Sequence, residues 1–348
     1  AKTKRTDKKI VVVGSGPAGL FCAVRLIDRG FCPTVLERGG NVDERAAQNE
    51  KFFRERLLDE DTNVQFGEGG AGTFSDGKLN TQTHTPLNRE VLETFVRFGA
   101  PQEILYLAKP HIGSDNLRGV VKKMRAHIEA HGGRVLFHTR FERLRMKDGK
   151  AFSALARHTE TGEEEEFACD ALVLAIGHSS RDTFARLSAC GFAMEQRDFA
   201  IGARIEHLQE KIGIAQYSAW HNLLPPADYK LASHAGARSA FTFCMCPGGY
   251  VMPSSSEAGG VVTNGMSNYA RDGVNANSAL LVQIVRADFD RGNVLDGAEF
   301  QRRIERAAFA MAGGNYAAPV QRVEDFFEGR ASARFGEVLP SYAAGTAM

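Results

Sequence analysis

Short runs of apolar residues alternate with segments of helical periodicity in the first half of the chain. Residues 9–14, KIVVVG, form one such run, and residues 33–38, PTVLER, form the next. Between them, the apolar residues of 15–30 recur three and four positions apart, which is typical of an amphipathic helix. Strands that are apolar on both faces occur in parallel sheets that are covered on both sides. The pattern therefore predicts a β-α-β unit of about thirty residues.

The pattern in the remaining chain predicts further helices and strands, and the kinds of predicted element change near residue 190. Helices are expected over 44–59, 89–98, 101–108, 116–131 and 181–189, and strands over 134–146, 151–158, 164–169 and 171–177. Beyond residue 192, strand candidates at 199–205, 240–246 and 259–267 alternate with irregular stretches, and one helix is expected over 277–290, which carries ALLVQIVRADF. We place a domain boundary near residue 190.

The composition of the chain excludes several classes of protein but does not identify this one. The chain has 348 residues, and its 43 basic and 42 acidic residues give a net charge of +1. This balance favours neither nucleic acid nor an anionic membrane as a partner, and no apolar stretch reaches the roughly 18 residues that span a bilayer. Six scattered cysteines lack the density of a disulfide scaffold and the spacing of a zinc site. We expect a cytoplasmic protein without a metal site, and its oligomeric state stays open.

The turn after the first apolar run carries a nucleotide-binding fingerprint. Gly14-Ser15-Gly16-Pro17-Ala18-Gly19 follows a predicted strand, opens a predicted helix and precedes Glu37 at the end of the next strand. Such glycines allow a tight turn and the close approach of a pyrophosphate, and the helix N-terminus offers N–H donors to it. Glu37 would accept hydrogen bonds from ribose hydroxyls and repel a 2′-phosphate, whereas Arg38 beside it would attract one. NAD and FAD both use this unit, so the pattern leaves the dinucleotide open.

A second glycine cluster lies at residues 65–81, QFGEGGAGTFSDGKLNT, where five glycines fall between Gly67 and Gly77. Glycine weakens helices and strands, so this density indicates backbone that turns sharply or closely contacts a ligand.

Several motifs together resemble a family of uncharacterised FAD-dependent dehydrogenases, or NAD(P)/FAD-dependent oxidoreductases. They are GSGPAGL at 14–20, ERG at 37–39, FGEGGAGTFSDGKL at 66–79, KPHIGSDNL at 109–117, ALVLAIGHSSRDTF at 171–184, FAIGARIEH at 199–207, FCMCPGG at 243–249 and NGMS at 264–267. The family is itself similar to two-domain flavoproteins such as geranylgeranyl reductases and aromatic hydroxylases. Its members continue beyond the end of this chain with a glycine-rich stretch that closes over the flavin, so we expect the C-terminal part of the flavin domain to be missing.

The resemblance implies FAD as cofactor and an α/β fold with two domains. One is a Rossmann-like FAD-binding domain of the GR2-type, three-layer kind, built from residues 1–85 and 112–190. The other is an α+β substrate domain built from residues 86–111 and 191–348. The substrate itself is not implied.

The resemblance also implies which residues bind the cofactor. They are the fingerprint, the residues after the second strand, the glycine cluster and a strand end: Gly14, Ser15, Gly16, Pro17, Ala18, Gly19, Glu37, Arg38, Gly69, Gly70, Gly72, Thr73, Phe74, Ser75, Lys78, Ile176 and Gly177. Within this set, Thr73, Phe74 and Ser75 would line the isoalloxazine ring, and Lys78 would place a positive charge near it.

Candidates for catalysis are few: Lys78, His111, Cys244 and Cys246. Strand alternation would put Cys244 and Cys246 on one face, where the pair could be redox-active or simply packed.

We therefore expect an FAD-dependent oxidoreductase, a dehydrogenase or reductase, that transfers a hydride or an electron pair between flavin and an organic substrate. NAD(P)H would serve as a transient donor, because no second fingerprint is present. Two alternatives stay open: an NAD-dependent dehydrogenase that uses the same fingerprint, and a non-enzymatic protein that binds flavin or a nucleotide.

Overall fold

The computed structural model describes residues 6–342 and 344–347, so the outermost ends of the two predicted domains lie outside the described residues. The chain divides into two compact units. The first is made of Ala1–Phe52 and Leu57–Ala193, and the second of Phe53–Arg56 and Met194–Met348.

A four-stranded parallel sheet forms the centre of the first unit. In spatial order its strands are β3 (Arg134–Leu136), β2 (Thr34–Leu36), β1 (Ile10–Val13) and β7 (Ala171–Leu174). Val12 of β1 pairs with Val35 on one side and with Val173 on the other. The apolar run at 9–14 therefore supplies a central strand, as its two-sided hydrophobicity predicts.

Two layers cover the faces of this sheet. On one face, Val12 and Val35 share a core with the helices α1 (Pro17–Asp28) and α4 (Ser114–Ala130). On the other face, Val11 and Val13 share a core with an antiparallel sheet. Its strands are β4 (Thr139–Lys147), β5 (Lys150–His158) and β6 (Glu164–Ala168). The resulting three layers confirm the predicted α/β class.

The other helices of the first unit largely follow the apolar periodicity. They are α2 (Val42–Glu55), α3 (Leu87–Arg97) and α5 (Arg181–Ala189). The helix predicted over 101–108 is wrong, because only a 3₁₀ turn forms there, at Gln102–Leu105.

The single strand predicted over 134–146 is two strands. His138 lies between β3 and β4 with φ of +53°, a left-handed conformation that breaks an extended chain. The break sends β3 into the parallel sheet and β4 into the antiparallel layer.

Residues 86–111, expected in the second domain, lie in the first compact unit. Phe95 of α3 packs edge-to-face against Phe21 of α1 with ring centroids 4.9 Å apart. Phe98 and Ile104 are buried in the same core as Val12. Apolar packing on α1 therefore holds this segment in the first unit.

The second unit is built on an antiparallel sheet. Its strands in spatial order are β8 (Phe199–Leu208), β13 (Asn275–Ile284), β10 (Ala240–Cys246) and β9 (Ala232–Ser233). The remaining elements are α6 (Gln209–Tyr217), β11 (Tyr250–Pro253), β12 (Thr263–Met266), α7 (Asp296–Met311), β14 (Ala318–Val320), α8 (Val323–Phe327) and β15 (Ala344–Ala347).

The helix predicted over 277–290 is wrong, because most of it is the strand β13. This strand pairs with β8 along its whole length and with β10 on its other side. A short, nearly continuous apolar run cannot be assigned to a helix or a strand by periodicity alone, and partners distant in sequence decide here. In the described residues no helix is both long and apolar enough to cross a bilayer.

Candidate nucleotide-binding site

A cavity of about 510 Å³ lies in the first unit, where β1, β2 and β7 end. In open α/β sheets, ligands bind outside the carboxyl ends of the strands. The cavity lies within the range of about 300–1,000 Å³ that is typical of cofactor and small-molecule pockets. Ten of the predicted cofactor-binding residues line it: Gly14, Gly16, Pro17, Ala18, Glu37, Arg38, Gly70, Gly72, Ile176 and Gly177.

Gly14 and Gly19 make the turn between β1 and α1 sterically possible. Gly14 has φ of +98°, and its N–H donates to the carbonyl of Leu36 at 2.7 Å. A Cβ on Gly14 would lie 2.4 Å from the carbonyl oxygen of Ala175, and one on Gly19 would lie 1.8 Å from that of Gly14. A side chain at either position would therefore push α1 or β7 away from β1.

Gly16 has a different environment, because it borders the cavity. The nearest atom to a Cβ at Gly16 would be the Cα of Gly70, at 3.7 Å, an ordinary contact. Gly16 is the N-cap of α1, no side chain caps this helix end, and Pro17 occupies its first position. The first N–H groups of a helix lack intrahelical acceptors, so this wall of the cavity suits a pyrophosphate.

Glu37 lines the cavity, but the protein itself satisfies its carboxylate. One oxygen accepts hydrogen bonds from the N–H and the hydroxyl of Ser15, both at 2.8 Å. The other oxygen accepts from the N–H groups of Gly39 and Gly67, both at 3.0 Å. A carboxylate offers about four acceptor directions, and all four are used here. Glu37 thus ties the fingerprint to the glycine cluster, and its contact with a ribose stays a prediction.

Arg45 of α2, which is fully buried, contacts the backbone of the glycine cluster. Its guanidinium donates to four carbonyls, those of Asn63, Val64, Glu68 and Gly70. Burial lowers the pKa of Arg45 to about 10, against the attraction of Glu37 and Glu68. The guanidinium therefore stays charged at neutral pH and fixes the path of residues 63–70.

The predicted ring-lining residues Thr73, Phe74 and Ser75 are not among the residues that line the cavity. Phe74 is 2% exposed, and the guanidiniums of Arg45 and Arg118 lie 4.7 and 5.0 Å from its ring centroid. The hydroxyl of Thr73 is buried without a hydrogen-bond partner among the described residues. Ser75 donates from its hydroxyl to the carbonyl of Gly72 at 2.8 Å. Their contact with a flavin ring stays a prediction.

The remaining predicted cofactor-binding residues from these two segments act within the protein. Ser15 is fully buried. Gly69 donates its N–H to the carbonyl of Ser15 at 2.9 Å, which joins the glycine cluster to the fingerprint turn.

Arg38 does not present a free cation to the cavity. Its guanidinium donates to Asp61 at 2.8 and 3.0 Å and to Asp182 at 3.1 and 3.2 Å. It also lies 4.2 Å from the ring centroid of Phe66. Burial by itself would lower the pKa of Arg38, but the attraction of Asp182 and Asp61 outweighs it, and the pKa is raised.

Two of the catalytic candidates, Lys78 and His111, are neighbours. Their backbones form an isolated antiparallel bridge. The ammonium of Lys78 lies 3.1 Å from the carboxylate of Asp76, whose side chain is 1% exposed. The positive charge expected near the flavin is therefore partnered by a buried carboxylate.

The other two candidates, Cys244 and Cys246, lie in the second unit. The regular alternation from which a shared strand face was predicted is interrupted between these two residues. Cys244 has φ of +48°, and the pairing of β10 with β13 shifts register between Phe243 and Cys246. A β-bulge inserts an extra residue there, so strict alternation no longer applies.

Several cavity residues escaped the sequence analysis. They are Gln65, Phe66, Thr139, Arg140, Phe141, Ser179, Ser180 and Thr183. Thr139 and Arg140 reach the cavity because the N–H of Thr139 donates to the carbonyl of Glu37 at 2.7 Å. No local pattern marks residues 139–141, since the chain break at His138 decides where they lie. The other residues lie in or beside the glycine cluster and the motif at 171–184.

Comparison with known families finds a match in the second half of the chain. Residues 198–348 match the family model described as "FAD-dependent protein, C-terminal domain-like". This part of the chain is therefore similar to the C-terminal domain of an FAD-dependent family. The match confirms the predicted resemblance to an FAD-dependent family and the expected cofactor, FAD.

The chain is also similar to an uncharacterised protein of Clostridium beijerinckii. The two are 48% identical over 347 residues, which cover 99% of this chain and 64% of the relative. The chain thus spans less than two thirds of the length of this curated relative.

Solved flavoprotein structures show a more distant likeness. The glycerol-3-phosphate dehydrogenase of Bacillus halodurans, complexed with FAD, is 11% identical, with a TM-score of 0.41 and coverage of 88% of this chain and 55% of that one. The myxobacterial chondrochloren halogenase CndH is 13% identical, with a TM-score of 0.40 and coverage of 86% and 58%. Because these TM-scores lie below 0.5, the interpretation that follows depends on the residues of this chain.

These residues fit FAD. The cavity has a wall without Cβ atoms at Gly16, an uncapped helix N-terminus and a volume adequate for part of an extended dinucleotide.

Proposed function

We propose that this chain binds FAD in the cavity of its first unit and belongs to an oxidoreductase. The reaction would move a hydride or an electron pair between the flavin and an organic substrate. Because the chain covers 64% of its curated relative, the activity of the longer protein is part of this proposal.

One observation carries the proposal. The fingerprint turn, the glycine cluster and the strand end at Ile176-Gly177 are far apart in sequence and line a single cavity. A β-α turn without a ligand has no need of a second glycine-rich segment against it. The backbone approach that a pyrophosphate needs explains both glycine segments together.

The residues of the chain then have distinct tasks. The N-terminus of α1 and the glycine wall would hold the pyrophosphate through N–H donors. Glu37 and Arg45 would keep the two glycine segments at a fixed separation through the hydrogen bonds described above. FAD, when bound, supplies the hydride or electron-transfer chemistry itself.

Anaerobic reduction of the FAD-loaded chain tests the proposal. We expect NADH or NADPH to bleach the visible absorption of the bound flavin, and an added electron acceptor to restore it. A bound flavin that neither of these donors can reduce would support a non-enzymatic role. A colourless protein that binds NADH and rejects FAD would support the NAD-dependent alternative.

A further inference from the structure

Six charged side chains form a closed ring of alternating sign beside the cavity. In order around the ring they are Arg38, Asp61, Arg140, Glu142, Arg186 and Asp182. The distances between successive charged groups are 2.8, 3.6, 3.0, 3.1, 2.9 and 3.1 Å. Their side chains are between 13 and 36% exposed, so the ring is partly shielded from solvent.

The ring meets the cavity at two of its three arginines, Arg38 and Arg140, which both line it. The carboxylate of Asp61 is the member that the two share. Arg186 and Glu142 do not line the cavity. The two guanidiniums at the cavity wall therefore pair with carboxylates of the ring that lie outside the wall.

The position of these arginines bears on which nucleotide can bind. In this fold an acidic residue at the end of the second strand accepts a hydrogen bond from the ribose 2′-hydroxyl, whereas a nearby arginine accommodates a 2′-phosphate. Glu37 marks that strand end, and Arg38 follows it directly. Four protein donors already surround the Glu37 carboxylate and offset its negative charge. Repulsion between Glu37 and a 2′-phosphate is therefore an incomplete explanation of any selectivity against 2′-phosphorylated nucleotides.

We propose that Asp61 sets the nucleotide selectivity of the cavity. By engaging Arg38 and Arg140 together, it withholds both guanidiniums from a phosphate group at the ribose. The cavity therefore accepts a dinucleotide with a free 2′-hydroxyl, such as FAD, and discriminates against a 2′-phosphorylated one. This inference rests on the proposed function.

The titration of Asp182 agrees with its engagement in the ring. Burial would raise the pKa of Asp182, but attraction and hydrogen bonding by Arg38 and attraction by Arg186 outweigh it, and the pKa is lowered. The two arginines therefore hold the Asp182 carboxylate in its charged form.

Calorimetric titration of Asp61→Asn with 5′-ADP and 2′,5′-ADP tests the inference. Wild type should bind 5′-ADP and discriminate against 2′,5′-ADP. In Asp61→Asn we expect the ratio of the two affinities to shift about tenfold or more towards 2′,5′-ADP, because a freed guanidinium gains a charge-assisted contact. In the double variant Asp61→Asn with Arg140→Gln, most of that gain should disappear.

Glu164→Gln is the matched control. Glu164 pairs with Arg157 at 2.5 Å, and Arg157 does not line the cavity. This variant has the same change of net charge and should keep the wild-type ratio. If Asp61→Asn does not fold, Asp182→Asn frees one side of Arg38 and should shift the ratio in the same direction.

The outcomes separate the two claims. Wild type that binds neither FAD nor 5′-ADP overturns the proposed function and the selectivity with it. If wild type and Asp61→Asn both bind FAD and have the same ratio of affinities for 5′-ADP and 2′,5′-ADP, the proposed role of Asp61 in selectivity is overturned and the proposed function stands. An equal shift in Glu164→Gln would assign the effect to net charge and would also overturn it.

Discussion

At the residue scale, Glu37 joins three segments of the first unit through one buried carboxylate. It is 4% exposed, and its partners belong to the fingerprint turn, to the segment after β2 and to the glycine cluster. Hydrogen bonds to an ionised acceptor in a poorly solvated site are stronger than neutral ones. Glu37 should therefore contribute to folding as well as to the shape of the cavity.

Glu37→Gln tests this role at nearly constant volume. The amide NH₂ would face N–H donors that now point at a carboxylate oxygen, leaving buried donors unsatisfied. We expect the free energy of unfolding to fall by about 2–4 kcal/mol, measured by urea denaturation. Glu165→Gln, on an exposed position of β6, should change it by about 0.5 kcal/mol or less. Equal, small effects in both variants would contradict a structural role for Glu37.

At the element scale, the ion pairs of Asp182 link α5 to the end of β2. Its carboxylate lies 3.1 Å from Arg38 and 2.9 Å from Arg186. Its pKa in the folded protein lies below the usual value of 3.8. A carboxyl group whose pKa is lower folded than unfolded stabilises the fold above its unfolded pKa, and that stabilisation is lost as the pH falls through the folded pKa.

Asp182→Asn should remove this pH-dependent contribution. We expect a lower free energy of unfolding at neutral pH and a smaller further loss on acidification than in wild type. Urea denaturation at a series of pH values from neutral to about pH 3 measures both. Asp148→Asn, in an exposed turn, serves as the control. If the free energy of unfolding of Asp182→Asn falls with acidification as much as that of wild type, the pH dependence belongs to other carboxyl groups.

Elements with local signals were predictable, and elements set by distant partners were not. The strand at 10–13, the helix at 17–28 and the helix at 181–189 follow from runs and periodicity within their own sequence. The strand β13 was predicted as a helix, because its pairing with β8 and β10 is invisible locally. Arg140 and Asp61 escaped for the same reason: they reach the cavity region through a chain break and a loop, and no spacing rule connects them to Glu37.

At the scale of the whole molecule, the cavity of the first unit is the proposed site of FAD. Three glycine-containing segments converge there in a three-layer α/β unit, and residues 198–348 are similar to the C-terminal domain of an FAD-dependent family. The second unit has its own antiparallel sheet, and its role in binding substrate stays a prediction. Cofactor uptake is therefore the property from which the proposed chemistry follows.

The most direct test is the visible absorption spectrum of the purified chain after incubation with FAD and removal of the unbound flavin, compared with Gly16→Ala. A Cβ on Gly16 meets only an ordinary contact at 3.7 Å, so the variant should fold and melt like wild type. Its methyl group would occupy the wall that the pyrophosphate approaches. We predict that wild type retains the flavin spectrum and that Gly16→Ala loses most of it. Equal retention by both proteins, or none by wild type, would contradict the assignment of FAD to this cavity.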